Sequence, residues 1–362
     1  MHNSPPSPSL GVREGEALSD SRRAEGFHMP AEWEPHAATW LAWPHNAETW
    51  QGRQKFVPSI WIQMIKALHT DEAVQLLVND ASMKKEVQER LEKADINFRR
   101  VRLHEIPTND CWLRDTGPTF IKKGSEVGLI GWIFNSWGEK WPPWEEDALV
   151  SSRIAETMVP LPFFRPGIVL EGGSIETNGC GTLITTESCL LHPKRNPNLK
   201  KGQIEKILKS FLGVDNILWL PAGTPSGDDT DGHIDNLVRF VNPTTIVAPF
   251  ENDPQAPNYE LLRENYATLQ EMKSEEGRPL TVIPLPTPSP IESDSGLLPA
   301  SYANFYIGNG VVLLPSFDSP RDDEAIRLLK NFFPGRRIAK IPSKDLVRGF
   351  GGVHCVTQQQ IA

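Results

Sequence analysis

Along this chain, short apolar and β-branched runs come in pairs split by a polar Gly or Asn-Pro turn, and the pairs recur. They occupy residues 118–134, 173–191, 236–250 and 301–317. Each predicts a β-hairpin. The second strands start near Val127, Thr182, Thr245 and Val311, a spacing of roughly 60 residues that marks an internal repeat.

Apolar residues at three- and four-residue spacing then predict helices at 203–212, 259–272 and 323–333, with a weaker one at 145–157. Each of the three clear helices is followed by a short strand that ends at proline: 217–221, 280–286 and 337–342. The repeating unit is therefore strand, strand, helix, strand. A fifth copy forms if a terminal strand at 354–358 pairs with residues 38–44, which lead into helices at 59–69 and 83–94. Joining the chain ends in this way would close a ring and leave no exposed edge. A doubly wound parallel sheet is the alternative, but its helices should alternate one for one with strands, against the pairing seen here.

Composition adds bounds. The 362 residues are 39% hydrophobic with 11 Trp, ample for a core. The net charge of -9 argues against nucleic acid or an anionic membrane as partner and suits a cationic one. No apolar run approaches a membrane span. Cys111, Cys180, Cys189 and Cys355 have no metal-type spacing and read as free thiols of a cytoplasmic protein. Residues 1–28 lack the apolar segment of a secretory signal and read as a flexible leader, leaving 29–362 as one domain.

Chemistry concentrates at corresponding points of the repeat. Asp115 precedes the first hairpin, Glu171 the second, and His233 with Asp235 the third. Gly351-Gly352-Val353-His354-Cys355, close to the C-terminus, reads as a buried strand that delivers a thiol. In a ring of repeats these five groups converge, and carboxylates, an imidazole and a thiol together form a catalytic constellation. Taken singly, each has a plainer role. Asp115 suits a turn or an ion pair with Arg114, and Glu171 suits a strand end. His233 and Asp235, alternating along an extended segment, share a face that also suits a metal.

The motifs WLRDTGP (112–118), LEGG (170–173), TDGHIDN (230–236) and GGVHCVTQQQ (351–360) resemble, in this order, the agmatine deiminase and bacterial peptidylarginine deiminase family of guanidino-group-modifying enzymes. So do MPAEWEPHAATWLAWPHN near the start and ASYANFYIGNG late in the chain. The resemblance implies a five-bladed α/β propeller of pseudo-symmetric ββαβ modules. It also implies hydrolysis of a guanidinium to a ureido group and ammonia, with no metal or cofactor, on a small cationic substrate, in a homodimer or higher assembly.

By the same resemblance, Cys355 is the nucleophile and His233 the general acid and base. Glu171 orients that histidine, and Asp115 and Asp235 hold the guanidinium. A planar, delocalised cation needs such bidentate acceptors in a dry pocket. Asp229 stands where agmatine-processing members carry an acidic residue. Trp112 is a candidate wall for the aliphatic chain, as are Trp137, Trp141 and Trp144. Gly352, a further candidate substrate contact, stands where the family often has asparagine, and Phe350 interrupts its glycine run. His354, one residue along an extended chain from Cys355, faces away and reads as structural. Deimination of agmatine, as a step in polyamine synthesis, is the expected activity. Peptidyl-arginine is the alternative substrate. A metal hydrolase using His233, Asp231 and Asp235, or a silent cation-binding module, is the alternative class.

Overall fold

Hairpins that each gain a parallel third strand organise the molecule. The computed structural model describes residues 24–362 apart from 159, 222 and 295. Thr119–Lys123 pairs antiparallel with Glu126–Ile130, which pairs parallel with Phe163–Phe164. The design repeats in Ile175–Thr177, Thr182–Thr186 and Asn216–Leu220. It returns in Arg239–Asn242, Thr245–Pro249 and Thr281–Leu285, and again in Tyr306–Ile307, Val311–Ser316 and Arg337–Pro342. The remaining large sheet joins the chain ends: Gln358–Ile361 runs antiparallel to His36–Ala42, which continues parallel into Ala73–Val78 and Val101–Glu105. A two-stranded ribbon, Glu292–Ser293 with Gly296–Leu297, stands apart. The fold is mixed α/β.

Helices make the return crossings that parallel pairing requires. Val57–Leu68 starts with proline in its first turn, where a missing N–H costs nothing, and buries Val57, Ile60, Trp61, Met64, Ile65 and Leu68. Trp61 is wholly buried, and its ring N–H donates to the Ala42 carbonyl at 2.7 Å. Ala81–Lys93 is capped by Asp80, whose carboxylate accepts the Met83 N–H. Lys201–Leu212, Tyr259–Gln270 and Asp322–Phe332 bury their apolar stripes likewise.

Three expectations change. Residues 24–28 are no leader: Ala24 and Phe27 are buried, and His28 exchanges backbone hydrogen bonds with Lys122. The rest of that expectation, residues 1–23, lies outside the described residues. The terminal strand starts at Gln358, and Cys355 sits in the turn before it, where the Thr357 N–H bonds the His354 carbonyl. His233 and Asp235 do not alternate on a strand; His233 caps a short 3-10 turn, Ile234–Asn236, that carries Asp235.

Candidate active site

The segments that precede the hairpins meet. The Arg114 N–H donates to the Cys355 carbonyl at 3.1 Å, and the Gly173 N–H to Asp115 Oδ1 at 2.9 Å. Asn304 Nδ2 donates to Asn236 Oδ1 at 3.0 Å, and the His354 N–H to Asn304 Oδ1 at 2.8 Å. Gly173 lies at the centre. A Cβ there would stand 2.6 Å from His233 Nδ1, 2.9 Å from Asp115 Oδ1 and 3.2 Å from Asp235 Oδ2. Only glycine admits this approach.

All five polar residues expected to converge do so, and all are buried. His233 Nδ1 is 3.8 Å from Asp115 Oδ1, and its Nε2 is 3.8 Å from Glu171 Oε2. Among the described residues, neither ring nitrogen, nor Asp235 Oδ1, has a hydrogen-bond partner. Cys355 Sγ lies 3.7 Å from Asp235 Oδ2 and 3.2 Å from the Asn304 amide nitrogen. Buried polar atoms left unpaired are costly, so their clustering marks a place kept for a ligand.

The electrostatics are tuned by that burial. Burial, with Asp235 and Asp115 adding to it, pushes the Cys355 thiol well up, so the resting thiol holds its proton. Burial disfavours a charged His233, but Asp115, Cys189 and Glu171 outweigh it and raise the ring well above its usual value. For Glu171 burial is overcome by Arg195, whose Nε lies 2.9 Å from both carboxylate oxygens, and the group stays ionised below its usual range. Burial raises Asp115, with His233 opposing.

One loop closes the site. Ser136, Trp137, Gly138 and Glu139 all have positive φ, a strained run for three non-glycine residues. That backbone turns the Trp137 ring N–H onto Asp115 Oδ2 at 2.9 Å. Lys140 reaches Asp231 at 2.8 Å, and Trp141 Nε1 reaches Asp229 Oδ2 at 3.0 Å. Burial and the neighbouring Asp228 push Asp229 up to about 7. A cavity of about 100 Å³ lies to one side, with Asp228, Asn236, Glu251 and Ser301 in its wall; Cys355 is not part of that wall.

Trp112 is in the core, its ring 5.7 Å from that of Trp50 and in contact with Gly351. Gly352 presses against the Asn304 amide, where a Cβ would collide, so it serves the approach of two backbone segments beneath the thiol. Trp144 is half-buried, and its backbone N–H donates to the Glu145 carboxylate at 3.0 Å. His354 is the clearest correction: the turn swings its ring inward, with Nδ1 2.8 Å from Asp235 Oδ2 and Nε2 2.8 Å from Glu32 Oε2.

Three neighbours of these groups were not among the sequence candidates: Asn304, Arg195 and Cys189. Asn304 had a usable signal, since it lies just before the strand Tyr306–Ile307, at the same end of its hairpin as Asp115 and Asp235 are of theirs. The metal set His233, Asp231 and Asp235 is not assembled, because Arg195 and Lys140 occupy Asp231. Glu171, Cys189 and His233 do come within metal-bridging distance. Arg195 already places its charge on both Glu171 oxygens, however, and these residues do not fit a divalent ion.

A mixed α/β fold with this closed cluster of thiol, imidazole and carboxylates defines a guanidino-group-modifying hydrolase. Residues 28–360 match the Porphyromonas-type peptidyl-arginine deiminase family, and the chain belongs to it. Agmatine deiminase of Ectopseudomonas mendocina is 38% identical over 95% of this chain and 98% of its own length. That of Pseudomonas aeruginosa is 38% identical over 94% and 97%. Among solved structures, agmatine deiminase of Enterococcus faecalis superposes with a TM-score of 0.85 at 30% identity, covering 93% of this chain and 96% of its own. The C. jejuni agmatine deiminase with substrate bound gives 0.84 at 28%, with the same coverage.

Proposed function

We propose that this chain hydrolyses the guanidinium of agmatine to N-carbamoylputrescine and ammonia, with Cys355 as covalent nucleophile. The observation that carries the reading is the buried thiol beside Asp235, in one cluster with an imidazole and a carboxylate oxygen that make no hydrogen bond among the described residues. Relatives bearing the name agmatine deiminase match nearly the whole chain.

In this mechanism the arriving guanidinium pairs with Asp115 and Asp235 and sets its positive charge beside the thiol that burial and those carboxylates held neutral, so that the Cys355 thiol gives up its proton to solvent. The thiolate adds to the guanidino carbon. His233, held charged, gives its proton to the departing nitrogen, and ammonia leaves a thiouronium on Cys355. Neutral His233 then takes a proton from water as it attacks that carbon, and the carbon–sulfur bond breaks to return the thiolate. Glu171, fixed by Arg195, keeps the ring oriented. Asp229, with Trp141 beside it, receives the far ammonium.

The closed loop favours a small substrate over peptidyl-arginine, since a polypeptide needs an open cleft and Cys355 is only 5% exposed. The five large sheets are read as blades of an α/β propeller around the site; the contacts from 355 to 114, 115 to 173, 236 to 304 and 304 to 354 support this. A cytoplasmic homo-oligomer completes the proposal, with light scattering as its check. Among the described residues, no helix is long and apolar enough to cross a membrane. Ammonia release from agmatine, arginine and a blocked arginyl peptide, offered side by side, tests the substrate. Release from agmatine alone is expected; release from the peptide alone overturns the reading.

A further inference from the structure

We propose that His354 is a positioning residue for this reaction, acting on substrate through Asp235. Its ring is 1% exposed at the residue level and stands between two carboxylates, Nδ1 on Asp235 Oδ2 and Nε2 on Glu32 Oε2, each at 2.8 Å. Glu32 is itself held by several donors. Its Oε1 accepts from Arg239 at 2.7 Å and from the Ile307 N–H at 2.8 Å, and its Oε2 accepts from Arg114 at 3.2 Å. Arg239 in turn binds Glu176 at 3.1 Å, and Arg114 binds Gln359 at 2.7 Å. The ring is thus anchored at one end on a fixed carboxylate and holds Asp235 with the other.

That grip divides the two oxygens of Asp235. Oδ2 is held by His354, with the Cys355 thiol 3.7 Å away, and Oδ1 has no hydrogen-bond partner among the described residues. A guanidinium that enters finds one oxygen free and the carboxylate plane already set, so its ordering is complete before the substrate arrives. The backbone of His354 sets the thiol in the same way. Its N–H donates to Asn304 Oδ1, which leaves the Asn304 amide nitrogen on Cys355 Sγ. One residue therefore aligns the substrate acceptor and the nucleophile's neighbour.

The inference rests on the guanidinium reading above, and two substitutions test it separately. His354→Asn puts an amide nitrogen where Nδ1 stands and keeps the hold on Asp235 while giving up Glu32. His354→Gln puts its nitrogen where Nε2 stands and keeps Glu32 while releasing Asp235. Both remove one buried hydrogen bond, so a purely structural histidine would make them equal. Steady-state ammonia release from agmatine and thermal midpoints are measured for both. The Gln variant is expected to lose on the order of 100-fold in kcat/KM, with KM raised, and the Asn variant about 10-fold or less, at comparable midpoints. Equal losses, or a worse Asn variant, overturn the proposal. Wild-type turnover of agmatine decides the functional reading by itself; the ratio between variants decides this one. A structure of Cys355→Ser soaked in agmatine gives a check that does not depend on altering His354. Guanidinium on Oδ1 with the His354 contact kept supports the proposal, and an Asp235 turned away from His354 contradicts it.

Discussion

Two buried polar clusters adjoin at His354, and they follow opposite rules. In the one built from Glu32, Arg114, Arg239, Glu176 and Gln359, charge meets opposite charge or a hydrogen-bond partner. In the other, of Cys355, His233, Asp115 and Asp235, three polar atoms make no hydrogen bond among the described residues: both ring nitrogens of His233, with carboxylates no nearer than 3.8 Å, and Asp235 Oδ1. Both exclude water. The first fixes geometry, and the second spends that fixity on a ligand that can supply what is missing. His354, bonded to both, is their joint.

The largest effect should come from the open cluster. Cys355→Ala is expected to cut kcat by at least about 10⁴-fold, because the groups around a lost nucleophile cannot replace it. Its thermal midpoint should stay within a few degrees of wild type. The paired cluster should answer the other way. Glu32→Ala leaves Arg114 and Arg239 short of a buried counter-charge and should cost about 3–5 kcal/mol in denaturant unfolding. An unchanged midpoint concentration would show that the network does not hold the fold.

Titration separates the clusters by sign. Glu32 and Asp235 lie below the usual carboxylate range: burial opposes their charge, but Arg239 and His354 outweigh it for Glu32, and His354 and His233 for Asp235. Their stability is therefore complete above the unfolded values near about 4, and is lost as pH falls through the folded ones. His233 is raised, so its contribution is complete below an unfolded value of about 6.5 and is lost as pH climbs through the folded one. Denaturation midpoints followed against pH should fall at the acid end in wild type. They should do so less steeply in Glu32→Gln, although that variant is less stable at neutral pH. The smallest effect belongs to the rim. Asp229→Asn should raise KM for agmatine roughly 10-fold with kcat nearly kept, since losing a half-buried ion pair to the far ammonium, worth about 1.4 kcal/mol, weakens binding tenfold without touching the reacting carbon. A fall in kcat instead would place Asp229 in the chemistry.

The sequence showed much of this frame, and for identifiable reasons. Turns such as Asn242-Pro243 between β-branched runs, and the stripe of Ile204, Leu208 and Leu212, are local signals that tertiary structure had no cause to override. Ala73–Val78 escaped because a short apolar run between helices has no turn chemistry to announce it, and Val101–Glu105 because two apolar residues, Val101 and Leu103, are too few for their alternation to stand out. The five-residue site was legible through its place in the repeat. What surrounds it was not. The turn that brings His354 inward depends on Asn304, 50 residues away, and on the room that Gly352 leaves for its amide. Period-two alternation cannot reveal a contact of that kind.

The most direct test of the central claim is to quench wild-type protein with acid during turnover of agmatine and map the covalent adduct by mass spectrometry. The account predicts substrate less one ammonia, attached to the peptide containing Cys355. Ammonia release that continues in Cys355→Ala, or an adduct on another residue, would contradict it.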